Sequence, residues 1–226
     1  MAEIHVDGGT YSTIQSAIDA ANVGDTIVVH AGTYNEAVNV NKNGLTIIAN
    51  GSDVVEINGT FSESNPTFTS GTLVDWLKAA PAHSGGSTGL VVNADNVTIE
   101  NIRVSDGLWG IELGNGSDGT TLRNVTLESN VYAIYKQATS AINDLTIEGG
   151  SISDGFIGIE FDMASVGGGR ASGVTIDGME FSELMRKGIY AETLANAHIT
   201  DITMTDVGQF GGASWNGSLG AGGNGI

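Results

Sequence analysis

Apolar and polar residues alternate along this chain over short stretches, and the stretches recur. Val97-Thr98-Ile99-Glu100, Thr120-Thr121-Leu122-Arg123, Leu145-Thr146-Ile147-Glu148, Val174-Thr175-Ile176-Asp177 and Ala197-His198-Ile199-Thr200 align, their starts separated by 23, 25, 29 and 23 residues. A second pair follows each at a fixed offset: Ile102/Val104, Val125/Leu127, Gly150/Ile152, Met179/Phe181 and Ile202/Met204. A third short strand completes the period in Gly110-Ile111-Glu112, Ala133-Ile134-Tyr135, Gly158-Ile159-Glu160 and Gly188-Ile189-Tyr190. Three alternating strands in roughly two dozen residues match a three-sided coil. Successive side chains on a strand point to opposite faces. Ile99, Leu122, Ile147, Ile176 and Ile199 are therefore predicted to stack inside, and Glu100, Arg123, Glu148, Asp177 and Thr200 outside. One coil cannot bury its own apolar side; stacked neighbours complete the core. The pattern predicts an all-β fold, a single right-handed parallel β-helix. Leucine-rich repeats share the period, but their Leu-x-x-Leu-x-Leu consensus is missing, and a β-propeller needs longer strands.

The beginning of the chain reads differently. Ser12-Thr13-Ile14-Gln15 has the form of a capping box, and Ile14, Ala17, Ile18 and Ala21 make one helical stripe. A short α-helix over the first coil would cover an end that otherwise invites aggregation. The expected organisation is one domain over 1–226. Residues 1–24 form the N-terminal strand and capping helix, and 25–59 the first coils. Residues 60–88 are an inserted loop, and 89–226 regular coils. In the insertion Leu73, Trp76 and Leu77 suggest a helical turn, and insertions in solenoids often fall on the binding face. Gly223-Asn224-Gly225-Ile226 occupies the third-strand slot, so the chain is expected to continue beyond it or to pair its last coil with another chain.

Composition sharpens this picture. Glycine is abundant (34) and proline scarce (2), as many tight turns between short strands require. The formal charge of −18 repels nucleic acid and anionic lipid and makes calcium the candidate cation. With no cysteine, thiolate sites and disulfides are excluded. The four histidines, His5, His30, His83 and His198, show no ligand spacing. No stretch approaches the ~18 apolar residues of a membrane span, and the N-terminus lacks the regions of a cleavable signal. The Asn-x-Ser/Thr triplets at Asn50, Asn58, Asn96, Asn115, Asn124 and Asn216 are explained by turn chemistry.

The run Tyr11-Ser12-Thr13-Ile14-Gln15-Ser16-Ala17-Ile18, then Gly24-Asp25-Thr26-Ile27-Val28-Val29, then Ala31-Gly32-Thr33-Tyr34-Asn35-Glu36, resembles the N-terminal cap and first coils of pectate-lyase-like β-helix proteins. The resemblance covers most of the chain outside 60–88. It implies the fold, and an extracellular or cell-surface location. It does not select an activity, because that superfamily includes lyases, hydrolases, epimerases, esterases, phage tailspikes and adhesins.

Outward columns convert register into geometry, since successive coils lie ~4.8 Å apart. Glu100, Arg123 and Glu148 alternate in sign, as a stacked charge ladder needs. The column Glu112, Tyr135, Glu160, Tyr190 is the candidate site. Asp162 is expected on the same face with Lys136 one coil below, and Arg170, Arg186 and Lys187 in nearby turns. Glu160, Asp162, Lys136, Tyr135 and Arg186 are the candidate catalytic groups. Glu112, Tyr190, Trp109, Arg170 and Lys187 are the candidate binding groups. Carboxylates with Lys, Arg or Tyr suit a uronan, whose carboxylate must be neutralised by calcium or arginine before a proton is abstracted; an inverting hydrolase needs two carboxyls ~6.5–9.5 Å apart. Trp109, Tyr132, Phe156 and Trp215 are candidates for stacking on sugar rings. The expected function is a β-helix module of a larger secreted or surface bacterial protein that binds acidic polysaccharide with calcium. The alternative is a uronan lyase, epimerase or glycoside hydrolase working in the groove beside the column.

Overall fold

The computed structural model describes residues 1–59, 88–136, 140–161 and 170–208. Every named strand pairing is parallel and joins positions about one period apart, or about two where the pairing spans the 60–87 segment, so the chain winds as a coil rather than folding back in hairpins. The interior ladder is longer than the repeat implied. Ile4, Ile27, Ile47, Ile99, Leu122, Ile147, Ile176 and Ile199 stack in unbroken register. A second face carries Tyr34, Ile57, Val104, Leu127, Ile152, Phe181 and Met204 inward. A third carries Val38, Leu90, Ile111, Ile134, Ile159 and Ile189. These form one continuous apolar core.

Each corner between faces is turned by a residue in the left-handed region. Asn101, Asn124, Gly149, Gly178 and Asp201 take the first corner; Asp106, Ser129, Asp154, Glu183 and Asp206 the second; Asn96, Gly119, Asp144, Gly173 and Asn196 the third, with φ from 49° to 68°. Asn and Asp tolerate this conformation best among residues with a side chain, and Gly adopts it without a Cβ penalty. This accounts for the Asn-rich composition. It also makes the triplets at Asn96 and Asn124 corner residues. Asn130, 1% exposed, braces the second corner from inside: it accepts from the Gly107 N–H (2.9 Å) and donates to the Val104 carbonyl (2.9 Å).

Outside, the expected charge ladder forms on the first face. Arg123 Nη1 lies 3.3 Å from Glu100 and its Nε 3.0 Å from Glu148. The second face repeats the device, Arg103 standing between Glu56 (3.5 Å) and Glu128. Both pairs are largely solvated and contribute little individually, but they remove like-charge repulsion within each column.

The helix, Ile14–Ala20, buries Ile14, Ala17 and Ile18 over the first coil. Its start differs from the expected box. Thr13, not Ser12, is the N-cap, its hydroxyl accepting from the Ser16 N–H (3.1 Å). Gln15 does not reach back; it accepts from the Asn39 N–H at 2.7 Å. Glu36, one coil on, instead accepts from the N–H groups of Ile14 (2.8 Å) and Gln15 (3.0 Å). Lys42 donates to the carbonyls of Ile18, Asp19 and Ala21 (2.6 to 2.8 Å). Both helix ends are thus tied to the coil by charges matching the dipole.

The chain leaves the second face after Val55–Asn58 and rejoins the third at Thr88–Val92, where Leu90 pairs with Val38. Thr88, the last residue of the expected insertion, is the first of that strand. The interior of the insertion, including Leu73, Trp76 and Leu77, lies outside the described residues, as does the C-terminal Gly-rich stretch. Among the described residues no helix is long and apolar enough to cross a membrane.

A central rung should matter more than a terminal one. Ile147 is fully buried between Leu122 and Ile176, whereas Ile199 is 37% exposed. Ile147→Ala should cost about 2–5 kcal/mol and Ile199→Ala less than half of that, read from denaturant midpoints of the two variants at equal m-value.

Candidate functional site

The third face assembles the candidate column in register. Glu112 pairs with Tyr135, Tyr135 with Glu160, and Glu160 with Tyr190. All four side chains point out and are half-buried. Beside it runs a second column, Trp109, Tyr132, Ile157 and Lys187. The two columns touch through aromatic rings. Trp109 stacks on Tyr135 at 5.6 Å between centroids and 19° between planes, and Tyr132 leans on Tyr135 at 5.7 Å. Lys187 Nζ sits 3.9 Å over the Tyr190 ring.

These rings are held from beneath by an apolar cluster that the period alone did not reveal. Leu108, Val131, Phe156 and Ile157 are buried outside the main core, with Trp109, Tyr132, Met185 and Tyr190 packed on them. The signal was present in the sequence. Leu108-Trp109-Gly110-Ile111, Val131-Tyr132-Ala133-Ile134 and Phe156-Ile157-Gly158-Ile159 lack the polar alternate of a half-buried strand. Such runs mean apolar surface on both sides. Phe156, expected to be available for stacking, is 8% exposed and serves as packing.

The other candidates divide. Lys136 does not share the outward face. It pairs with Leu113 and Phe161 on the interior side of the strand and is 0% exposed. Its ammonium donates to the Gly114 carbonyl (3.3 Å) and the Ser140 hydroxyl (3.0 Å). The error was one of parity: Lys136 follows Tyr135 directly, and adjacent strand residues face opposite ways. Arg186 falls where the register shifts between Gly155 and Ile157, its guanidinium 5.8 Å over the Phe156 ring. Arg170 is exposed and precedes a different, three-stranded sheet at the third corner. Asp162 and Trp215 lie outside the described residues. Among those described, no group of three or more His, Asp or Glu converges to hold a metal ion.

Among solved structures the chain is similar to alginate lyase from Paenibacillus sp. str. FPU-7, with TM-score 0.70 and 18% identity over 92% of this chain and 67% of that one. It is also similar to pectin methylesterase PemA from Erwinia chrysanthemi (TM-score 0.56, 13% identity, 88% and 66% covered). A third is rice weevil pectin methyl esterase (0.55, 17%, 87% and 64%). This chain has the parallel β-helix fold of these proteins. It spans about two thirds of the length of each of these β-helix proteins. No family model matches the sequence, and no curated protein matches it.

Several ionisable groups on this β-helix face are displaced from their ordinary values. Burial raises the Glu112 carboxyl above its usual range, opposed by the Thr88 hydroxyl, which donates to Glu112 at 3.5 Å, and by the charge of Lys136. Burial lowers the Lys187 ammonium, the neighbouring Arg186 charge adds to the fall, and Glu160 pulls the other way. The Tyr190 phenol is raised, first because it donates to Glu192 (2.8 Å) and then by burial. The face thus holds a carboxyl biased towards its acid form and an amine biased towards its base form.

The sign for Glu112 can be measured. A raised carboxyl binds its proton more tightly in the folded chain. Its contribution to stability therefore falls as pH climbs from the unfolded value of about 4.3 through the folded one. Glu112→Gln removes the buried charge while keeping an acceptor for Thr88. The variant should be more stable than the parent at neutral pH, with the advantage shrinking as pH falls through the raised folded value and gone below about 4. Urea midpoints at the two pH values check this; a Gln variant less stable at neutral pH would mean that hydrogen bonding outweighs desolvation.

Proposed function

We propose that the third face binds an extended acidic polysaccharide, its rings lying over the Trp109–Tyr135–Tyr132 aromatic patch. The observation that carries the reading is a contrast between columns. The first two faces place arginine between glutamates, as Glu100–Arg123–Glu148 and Glu56–Arg103–Glu128. The third places tyrosine there, as Glu112–Tyr135–Glu160. Charge neutralisation is sufficient for a solvated wall; stacked rings between carboxylates are what a sugar-binding surface needs. Aromatic rings cover the apolar faces of pyranoses, and carboxylates accept from their hydroxyls. The coil spacing of ~4.8 Å offers a new row of contacts for each advance along the helix axis. Similarity in fold to an alginate lyase and to pectin methylesterases supports the acidic class of glycan.

On so acidic a protein, a polyanion requires cations at the contact. Lys187 and Arg186 supply part of that charge, and calcium from solution supplies the rest by bridging glycan and protein carboxylates. Binding is then calcium-dependent. The protein belongs outside the cell or on its surface, where such glycans occur.

A second reading has its own observation. Glu112, biased towards the acid, and Lys187, biased towards the base, share one face. In an enzyme reading Lys187 accepts the C5 proton of the bound uronan, and Tyr190, whose ring lies under that ammonium, protonates the departing glycosidic oxygen as its bond to C4 breaks. Glu112, three coils away, only binds. Turnover would appear as unsaturated or shortened product and vanish in Lys187→Met, whereas binding would be weakened without being lost.

Calorimetric titration with alginate and pectate oligosaccharides, in calcium and in chelator, tests the binding. Trp109→Ala should weaken affinity about tenfold, or ~1.4 kcal/mol, whereas His198→Gln, an exposed change on the first face, should leave it unchanged. No binding of either uronan in calcium would end the proposal.

A further inference from the structure

We propose that His5 and His30 form a two-histidine site for a divalent transition metal, fastening the first strand to the coil above it. His5 lies on the strand Glu3–Val6, and His30 one position past Thr26–Val29, the strand with which it pairs. Though 25 residues apart, their rings meet, with His5 Nδ1 3.1 Å from His30 Nε2. Imidazole nitrogens bind zinc at about 2.0–2.1 Å, so two on one tetrahedral ion stand about 3.3 Å apart. The observed separation is close to that, and a modest rotation of the rings aims both lone pairs at one ion.

The surroundings match those of ligating histidines. The other nitrogen of each ring has a carboxylate nearby, His5 Nε2 with Glu3 at 4.0 Å and His30 Nδ1 with Asp53 at 3.8 Å, the Asn50 amide lying closer to His30 Nδ1 at 3.5 Å. Carboxylates drawn from there into hydrogen-bond range orient metal-bound imidazoles and raise their basicity. Asp53 is itself held, accepting from the Ala31 N–H (3.2 Å) and the Asn50 amide (3.1 Å). Gly8 supplies a further, independent observation. A Cβ there would stand 2.4 Å from His30 Nε2, the nitrogen facing His5, so a side chain at this position would push the His30 ring aside. The rings are 41% and 31% exposed, open to an ion from solution. Water completes the coordination, since no third protein ligand converges among the described residues. Imidazole nitrogens select zinc, nickel or copper over calcium and magnesium. The site is remote in sequence from the third-face residues and independent of any glycan.

An ion that binds the folded chain alone stabilises it by mass action. Thermal unfolding of the full chain with nickel, zinc or calcium provides the test. Nickel or zinc at about tenfold over its Kd should raise Tm by about 3–6 °C, calcium should not, and calorimetry should count one ion per chain. His5→Gln should abolish the shift. Gly8→Ala should also abolish it with both histidines retained, while a His83→Gln/His198→Gln double variant should keep it. A parent Tm indifferent to nickel and zinc, or a shift that survives in both His5→Gln and Gly8→Ala, would overturn the site and leave a histidine pair sharing one proton.

Discussion

Everything in this molecule depends on turning three corners per coil without losing register. A strand face stacks only if each coil returns to the same angular position as the one beneath, and a slip of one residue would turn the core outward. The recurring left-handed residue enforces this return. Fifteen positions, from Asn96 to Asp206, take that conformation at three fixed places in five successive coils. Backbone chemistry at the corners thus precedes packing in the argument. Asn, Asp and Gly bend the chain where Ile and Val then find their ladders. Where Gly150 replaces the Val125 of the coil below, its φ of 93° and a Cβ position 2.1 Å from the Val125 carbonyl leave room for no other residue.

The same register builds the surface. On a coil, a residue's outer neighbours are set by the period rather than by proximity in sequence, so every outward position is read as part of a column. This is why the column Glu112, Tyr135, Glu160, Tyr190 could be written down from the repeat and is found in that register. It is also why His5 and His30 escaped. Ligand motifs are ordinarily sought within one strand or helix, whereas these two meet only across a coil boundary near the start, where the repeat is least regular.

Other features were hidden for distinct physical reasons. Lys136 was assigned to the outer face by its chemistry, although its parity places it inside; a lysine beside Leu113 and Phe161 defies the usual rule for interior positions. Carbonyl and hydroxyl acceptors make that burial tolerable, and they belong to Gly114 and Ser140, which no pattern marks. The N-cap moved from Ser12 to Thr13 because Glu36, a residue of the next coil, took over the donors that a capping box would have satisfied. The outer cluster under Trp109 and Tyr132 was overlooked because the runs containing it were read only for their inward residues. Local signals were legible; long-range substitutions for them were not.

The strongest functional argument comes from comparing three faces built by one rule. A column of glutamates on an acidic solenoid has to be relieved of its own repulsion, and the cheapest relief is an arginine one coil away. The first and second faces adopt it. The third interposes Tyr135 between Glu112 and Glu160, follows Glu160 with Tyr190, keeps its cations Lys187 and Arg186 beside the column, and adds Trp109 and Tyr132 alongside. Nothing in coil packing calls for that choice, because arginine would stack equally well. An apolar cluster is then spent beneath these rings, fixing their orientation from below. Raised Glu112 and lowered Lys187 follow from the same burial. A face that keeps its carboxylates, rigidifies its aromatics and shifts its ionisable groups departs from the structural solution used on either side of it. Departures of that kind concentrate where a surface has a ligand to hold.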